Sequence, residues 1–123
     1  MKRDMDLVRK LLFLSEEIAG GSDLPAVDLS QFEEFSEDDV LGHLRLIEKA
    51  GLVEESWATQ DDIGIGPLTW FGHDFLDSVR DPEVWRKTKE TAAKAGGFTF
   101  SILGDIAKGL ITTQIEKHTG VEL

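Results

Sequence analysis

The sequence predicts a small, mainly helical protein with one β-hairpin, an α+β fold. Apolar residues recur at helical spacing over 4–18 and 36–50, and two further helical patterns follow residue 80. Between them, two short β-type segments flank a polar turn. At 123 residues and 41% apolar content the chain is large enough to form a core. We expect residues 1–80 to form one domain and residues 81–123 a two-helix tail that packs on it.

The first helix is predicted to begin at Asp4, whose carboxylate can cap the free N–H groups of the first turn, and to stop at Gly20-Gly21. One half of the helical wheel is apolar: Met5, Leu7, Val8, Leu11, Leu12, Leu14 and Ile18. Phe13 departs from this pattern because it projects from the polar face. We expect another element to cover Phe13, and the alternative is a contact with a partner.

A second helix is predicted to begin at Ser36, a good N-cap residue, and to end at Gly51. The acidic residues 37–39 favour this start because carboxylates stabilise the positive end of the helix dipole. The predicted buried stripe is Val40, Leu44 and Ile47.

Three extended segments are predicted around this helix. Alternation of apolar residues predicts a short strand at 26–30, and residues 52–57 and 65–68 are predicted to form a hairpin around the polar turn 58–64.

Three helices are predicted after the hairpin. Thr69 can cap the third helix, and Asp81-Pro82 begins a basic fourth helix that runs to Lys94 and is closed by Gly96-Gly97. The last helix, residues 100–118, is apolar over more than half of its circumference, so we expect it to be buried against two surfaces. Its apolar residues are Ile102, Leu103, Ile106, Ala107, Leu110, Ile111 and Ile115.

The net charge of −11 is concentrated in one stretch of the chain. Residues 16–62 contain fourteen carboxylates and two cations, Arg45 and Lys49. We expect this stretch to repel nucleic acid and attract a basic partner, and the simpler alternative is a solvated surface. The predicted acidic partner surface is Glu33, Glu34, Glu37, Asp38, Asp39, Glu54, Glu55, Asp61 and Asp62.

The predicted order of helix, short strand, helix, hairpin and helix resembles the winged-helix fold. Residues 43–53 are similar to the third helix and following strand of bacterial winged-helix regulators, and residues 68–76 to the end of the wing and the next helix. Nearly the whole chain resembles the bacterial and phage family known as domain of unknown function 2513. The matching segments are residues 1–9, 43–52, 68–70, 72–77, 84–85 and 88–89. The resemblance implies a winged-helix-like domain with a helical tail, common in prophage settings, and it implies no activity or site residues.

Standard DNA reading is disfavoured by the charges of the predicted helix and wing. A DNA-reading winged helix places its third helix in the major groove and its wing on phosphates. Here that helix begins with the acids at 37–39, and no lysine or arginine occurs from Gly51 to Val79. Nucleic acid could instead bind a separate basic face, whose simpler interpretation is a solvated surface. The candidates for that face are Arg80, Arg86, Lys87, Lys89 and Lys94, together with Lys2, Arg3, Arg9 and Lys10. On the predicted helix itself, Arg45 and Lys49 are the basic residues that could contact nucleic acid or a partner.

The residues needed for metal or nucleophilic chemistry are sparse. The chain has no cysteine, which excludes disulfides, thiolate metal sites and thiol nucleophiles. His73 and Asp77 lie one helical turn apart but lack a third ligand, so we expect no metal, no cofactor and no enzymatic activity. We expect His43 at the edge of the core, and His73 bonded to backbone groups where hairpin meets helix. His118 completes the three scattered histidines.

The glycines and tryptophans also favour structural roles. The segment 64–67 lacks the lysine and following helix of a phosphate loop. Trp57, Trp70 and Trp85 are expected to anchor the core or the tail, and the alternative is a ligand pocket.

Two classes of function therefore remain open, and neither is an enzyme. The first is a regulatory or protein-interaction module, with transcription regulation through a non-standard basic face as a variant of it. The second is an anti-defence or inhibitor protein whose acidic surface imitates nucleic acid toward a basic target.

We expect a homodimer with contacts from Phe13, Ile111 and Ile115. Without a membrane-spanning apolar run or a signal-peptide pattern, we expect a cytoplasmic location.

Overall fold

The computed structural model describes residues 1–18 and 26–120 of the chain. These residues form a mainly helical α+β structure with one antiparallel hairpin, which confirms the predicted fold class. The elements are α1 (Met5–Glu16), a 3-10 helix (Leu29–Phe32), α2 (Glu37–Lys49), β1 (Ser56–Ala58), β2 (Ile63–Ile65), α3 (Trp70–Val79), α4 (Pro82–Ala95) and α5 (Phe100–Thr119). They group into two compact units, Met1–His73 and Asp74–Leu123.

The predicted cap of α1 is confirmed. The Asp4 carboxylate accepts hydrogen bonds from the backbone N–H groups of Asp6 at 2.9 Å and Leu7 at 3.2 Å. The helix ends at Glu16, and the predicted stop at residues 20–21 lies outside the described residues.

The predicted cap of α2 is also confirmed, since the Ser36 hydroxyl accepts from the N–H of Asp39 at 3.1 Å. Gly51 follows the helix with a φ of 80°, a left-handed conformation that favours glycine. The predicted stripe of Val40, Leu44 and Ile47 is buried.

The hairpin is shorter than predicted and shifted in position. Its pairs are Ser56 with Ile65, Trp57 with Gly64 and Ala58 with Ile63. Nearer the base, an isolated bridge joins Val53 to Leu68 in the same register. Pro67 lies between the ladder and this bridge. It accepts a hydrogen bond from the Glu54 N–H at 2.9 Å, but it has no N–H to return one, so the regular ladder stops.

The predicted strand at 26–30 is wrong. Ala26 makes a single bridge to Gly64, and the Val27 N–H donates to the Ile63 carbonyl at 2.6 Å. The chain then turns into the 3-10 helix because the Asp28 carboxylate caps it, accepting from the Ser30 N–H at 3.1 Å. Such local bonds from aspartate compete with strand pairing.

The core of the first unit lies between α1, α2 and the hairpin. Its largest fully buried side chains are Phe32, Leu7, Leu11, Leu12, Leu44, Ile47, Leu52 and Ile65. A buried polar bond connects two of these elements, because the Ser15 hydroxyl donates to the Gly66 carbonyl at 2.6 Å. Full burial of one such aliphatic side chain contributes about 1.5 to 3 kcal/mol to stability.

In the second unit, α4 packs against α5. The predicted start of α4 is confirmed, since the Asp81 carboxylate accepts from the N–H groups of Glu83 and Val84, each at 2.9 Å. The last helix runs to Thr119, one residue beyond the predicted range. Within a single chain, Ile102 and Ile115 of its wide apolar face are exposed, so the expected cover by a second surface stays a prediction. The buried residues of α5 are Leu103, Gly104 and Ala107.

Candidate interaction surface

Acidic residues occupy the first turn of α2. Glu37 and Asp38 are exposed and Asp39 is partly buried, directly after the Ser36 cap. Their position next to the free N–H groups of the first turn stabilises the helix. Part of the acidic character of this stretch therefore has a structural role.

The hairpin presents four further carboxylates to solvent, Glu54, Glu55, Asp61 and Asp62, which we call the hairpin acidic surface. Asp61 and Asp62 lie in the turn, which is closed by bonds from the Thr59 N–H to the Asp62 carbonyl at 2.8 Å and from the Asp62 N–H to the Thr59 hydroxyl at 3.0 Å. Since the sequence from Gly51 to His73 contains no lysine or arginine, no cation from this segment offsets their charge.

Glu33 and Glu34 follow the 3-10 helix, and both are exposed. Glu34 differs from the hairpin acids because Lys10 lies beside it, with 3.2 Å between Nζ and Oε1. A hydrogen bond from its own backbone and the one from Lys10 lower the pKa of the Glu34 carboxyl. Lys10 also donates to the Gln31 carbonyl and lies 4.7 Å from the centre of the Phe32 ring. The charge of Glu34 is thus balanced within the unit.

The predicted basic residues belong to both units. Arg45 and Lys49 are exposed on α2 of the first unit. In the second unit, Arg86, Lys87 and Lys89 lie on α4.

The cations of α4 are compensated along the helix itself. Arg86 donates to Glu83 at 2.6 and 3.1 Å and to Glu90 at 3.1 Å. These contacts, with the bond to Arg86 as the largest cause, lower the pKa of Glu83, and the bond to Glu83 likewise raises the pKa of Arg86. Lys87 lies 3.9 Å from Glu83, and Lys89 lies 5.6 Å from the centre of the Trp85 ring. This pattern is typical of a solvated helix surface.

The three histidines have different environments. His43 is 1% exposed, so its predicted place at the edge of the core is wrong. Its Nε2 accepts from the Asp4 N–H at 2.9 Å, while Nδ1 lies 2.7 Å from the Asp39 carbonyl. Since a carbonyl can only accept, the neutral ring carries its proton on Nδ1. His73 is exposed, so the expectation that its ring bonds to backbone groups where hairpin meets helix is wrong. His118 is exposed as well.

The three tryptophans also differ. Trp85 is buried, as predicted, and Trp57 is half-buried with its indole over Gly64. The prediction fails for Trp70, which is 84% exposed, next to Phe71, which is 47% exposed. A signal for this exposure exists in the sequence, because Trp70 lies across the helical wheel from the stripe of Phe75, Leu76 and Val79.

The predicted dimer residues are at least partly accessible. Phe13 is half-buried, and the Arg9 guanidinium carbon lies 4.8 Å from the centre of its ring. In the second unit Ile111 is half-buried and Ile115 is exposed.

Within residues 1–18 and 26–120, no group of three or more potential ligands from His, Cys, Asp and Glu could hold a metal ion. Among the helices of these same residues, none combines the length and apolar character required to cross a bilayer.

These features define a mainly helical α+β protein with an acidic hairpin, and comparison with known proteins gives its family. Residues 2–98 match the family model described as hypothetical protein (DUF2513), so the chain belongs to this family. It is also similar to an uncharacterised protein of Haemophilus influenzae, with 31% identity over 121 residues that cover 94% of this chain and 99% of the relative. No solved structure matches the chain.

Proposed function

We propose that the first unit is a winged-helix-like module that binds a protein partner and has no enzymatic activity. The order of α1, the bridge at Ala26, α2, the hairpin and α3 supports the winged-helix interpretation. The scaffold alone does not define a function, so the proposal depends on the chemistry of its surface.

The observation that carries the proposal is the charge of the hairpin. Wings that hold DNA supply lysine or arginine to phosphates, and this contact provides most of the non-specific affinity. Here the hairpin acidic surface is exposed, and no cation occurs from Gly51 to Val79. Such a wing repels the DNA backbone and attracts a basic protein surface.

Two alternatives use the same residues differently. The exposed carboxylates of the first unit also suit an inhibitor that imitates nucleic acid toward a basic target, as in an anti-defence protein from a prophage. Regulation through DNA binding by the α4 face has less support, because Arg86 and Lys87 lie beside Glu83.

Affinity purification of the tagged chain from its native host, with nuclease treatment, tests the proposal. We expect a protein partner that survives the nuclease and is lost when Glu54, Glu55, Asp61 and Asp62 are changed to the corresponding amides. The matched control changes Glu83 and Glu90 of the second unit, and it should retain the partner. Enrichment of one DNA sequence without any protein would contradict the proposal.

The captured partner also separates the two protein-binding alternatives. If the partner is a nucleic-acid-binding protein whose substrate competes with this chain, the chain is an inhibitor. If the partner binds this chain and nucleic acid together, the chain is an interaction module.

A further inference from the structure

Trp70 and Phe71 form an exposed aromatic pair at the start of α3. Trp70 is 84% exposed and Phe71 is 47% exposed. Tryptophan is usually largely buried, and adjacent exposed aromatic side chains are typical of interaction sites. The fold does not require the Trp70 side chain for its core, which is formed by other residues.

The backbone places this pair at the base of the hairpin. The Thr69 N–H donates to the Leu52 carbonyl at 3.0 Å, and the Thr69 hydroxyl donates to the Gly51 carbonyl. The start of α3 is therefore fixed against the segment that leads into β1. Gly72 packs so closely on the Leu52 carbonyl that a Cβ there would overlap it.

Two acidic positions are paired with the segment that leads into the aromatic pair. The Glu54 N–H donates to the Pro67 carbonyl, and Pro67 lies three residues before Trp70. At the rise of an extended chain, roughly 10 Å of backbone separates Pro67 from Trp70. Glu54 and Glu55 are both exposed, so the segment paired with the stretch that leads into α3 carries two carboxylates in solvent. The cation nearest to Glu54 along the chain is Lys49, at the end of α2, and the one nearest to Phe71 is Arg80.

We propose that Trp70, Phe71, Glu54 and Glu55 form a docking surface for a protein segment that carries lysine or arginine beside aliphatic side chains. The inference rests on the proposed function, since it specifies where the protein partner binds and with which chemistry.

Charge complementarity selects this partner. A lysine or arginine head group is attracted both by a carboxylate and by the face of an indole within about 6 Å of the ring centre. The apolar stem of the same side chain can cover the ring of Phe71 while its charged end remains beside Glu54 or Glu55. An acidic segment would be repelled by the same carboxylates.

Short synthetic peptides test the surface in the full-length chain. Three labelled peptides of equal length are titrated by fluorescence anisotropy, one alternating leucine with lysine and arginine, one alternating leucine with glutamate, and one alternating leucine with serine. We expect the basic peptide to bind best, with an affinity that falls as salt is added. Trp70→Ala should weaken it by about tenfold or more, as expected for a central tryptophan of an interface. Glu54→Gln with Glu55→Gln should weaken it and reduce its salt dependence.

The control variant is Phe98→Ser, which removes another exposed aromatic side chain, in the second unit. It should leave the affinity unchanged, and circular dichroism should show that every variant is folded. Equal binding of the basic and serine peptides, or equal binding by Trp70→Ala and the unchanged chain, would overturn the inference. A blue shift of the tryptophan emission on concentrating the protein alone would also overturn it, because a second copy would then cover the pair. If no peptide binds but the nuclease-resistant partner is still captured, the inference fails while the proposed function stands.

Discussion

Replacing His43 tests how the start of α1 is held to α2. The imidazole is buried, accepts from the Asp4 N–H through Nε2 and donates to the Asp39 carbonyl through Nδ1. His43→Leu fills the same space with an apolar side chain of similar size but removes both hydrogen bonds. His43→Ala removes the bonds and most of the side-chain volume.

The two variants should differ in a predictable way. In His43→Leu the Asp4 N–H of this part-buried bond loses its acceptor, and a donor left unsatisfied away from water costs about 1 to 3 kcal/mol. The Asp39 carbonyl faces the next turn of α2 and keeps the helical N–H bond of position 43, so it adds little. His43→Ala also leaves a cavity, and large-to-small core substitutions cost about 2 to 5 kcal/mol. We therefore expect His43→Ala to lower the free energy of unfolding by about 3 to 5 kcal/mol and His43→Leu by about 1 to 3 kcal/mol.

Urea unfolding followed by circular dichroism measures both effects. His73→Ala and His118→Ala are the matched controls, since both rings are exposed, and they should change stability by less than about 0.5 kcal/mol. If the His43 variants were as stable as these controls, the buried bridge from α1 to α2 would not exist. Nitrogen NMR of the ring gives a second check, because the proton should be on Nδ1.

Three further predictions use other parts of the molecule. Because of the acidic hairpin we expect no sequence-specific binding of duplex DNA at physiological salt, and sub-micromolar binding that is lost in Arg45→Ala would refute this. Gly64→Ala should lower the free energy of unfolding by about 1 to 3 kcal/mol, because its Cβ would overlap the indole of the cross-strand tryptophan. Gly109→Ala in α5 meets no atom within 4 Å and should raise the free energy of unfolding by about 0.5 to 1 kcal/mol. Equal unfolding midpoints for the two variants would contradict this packing. If the chain dimerises through α5, Ile111→Asp with Ile115→Asp should give a monomer that is still folded, and a monomer for the unchanged chain in light scattering would refute the dimer.

Helix starts could be predicted from the sequence because the bonds that define them are local. Asp4, Ser36 and Asp81 each bond to N–H groups two or three residues further along the chain, as predicted. The strand bounds depend on longer-range pairing, and the effects of Asp28 and Pro67 on that pairing were not visible in the alternation of apolar residues.

The environments of single side chains were harder to predict. The bond between His43 and Asp4 joins residues 39 positions apart, so no local pattern indicates the burial of His43. The exposure of Trp70 could have been predicted from its place on the helical wheel of α3. Residue type alone favours burial, however, because tryptophan side chains are usually largely buried. The charge of the hairpin follows from the sequence without any knowledge of the fold, so the expectation that the hairpin does not bind DNA can be made from the sequence alone.

Charge-selective quenching of tryptophan fluorescence tests most directly whether an exposed indole lies in a negative field at the base of the hairpin. Caesium and iodide ions are compared at equal ionic strength, each relative to its quenching of free N-acetyltryptophanamide. Since Trp85 is buried and Trp57 is half-buried, the strongly quenched emission should come from Trp70. We expect relative quenching by caesium to exceed that by iodide, the difference to shrink in Glu54→Gln with Glu55→Gln, and the quenched component to disappear in Trp70→Phe. Stronger relative quenching by iodide, or an unchanged quenched component in Trp70→Phe, would show that Trp70 does not lie exposed in a negative field.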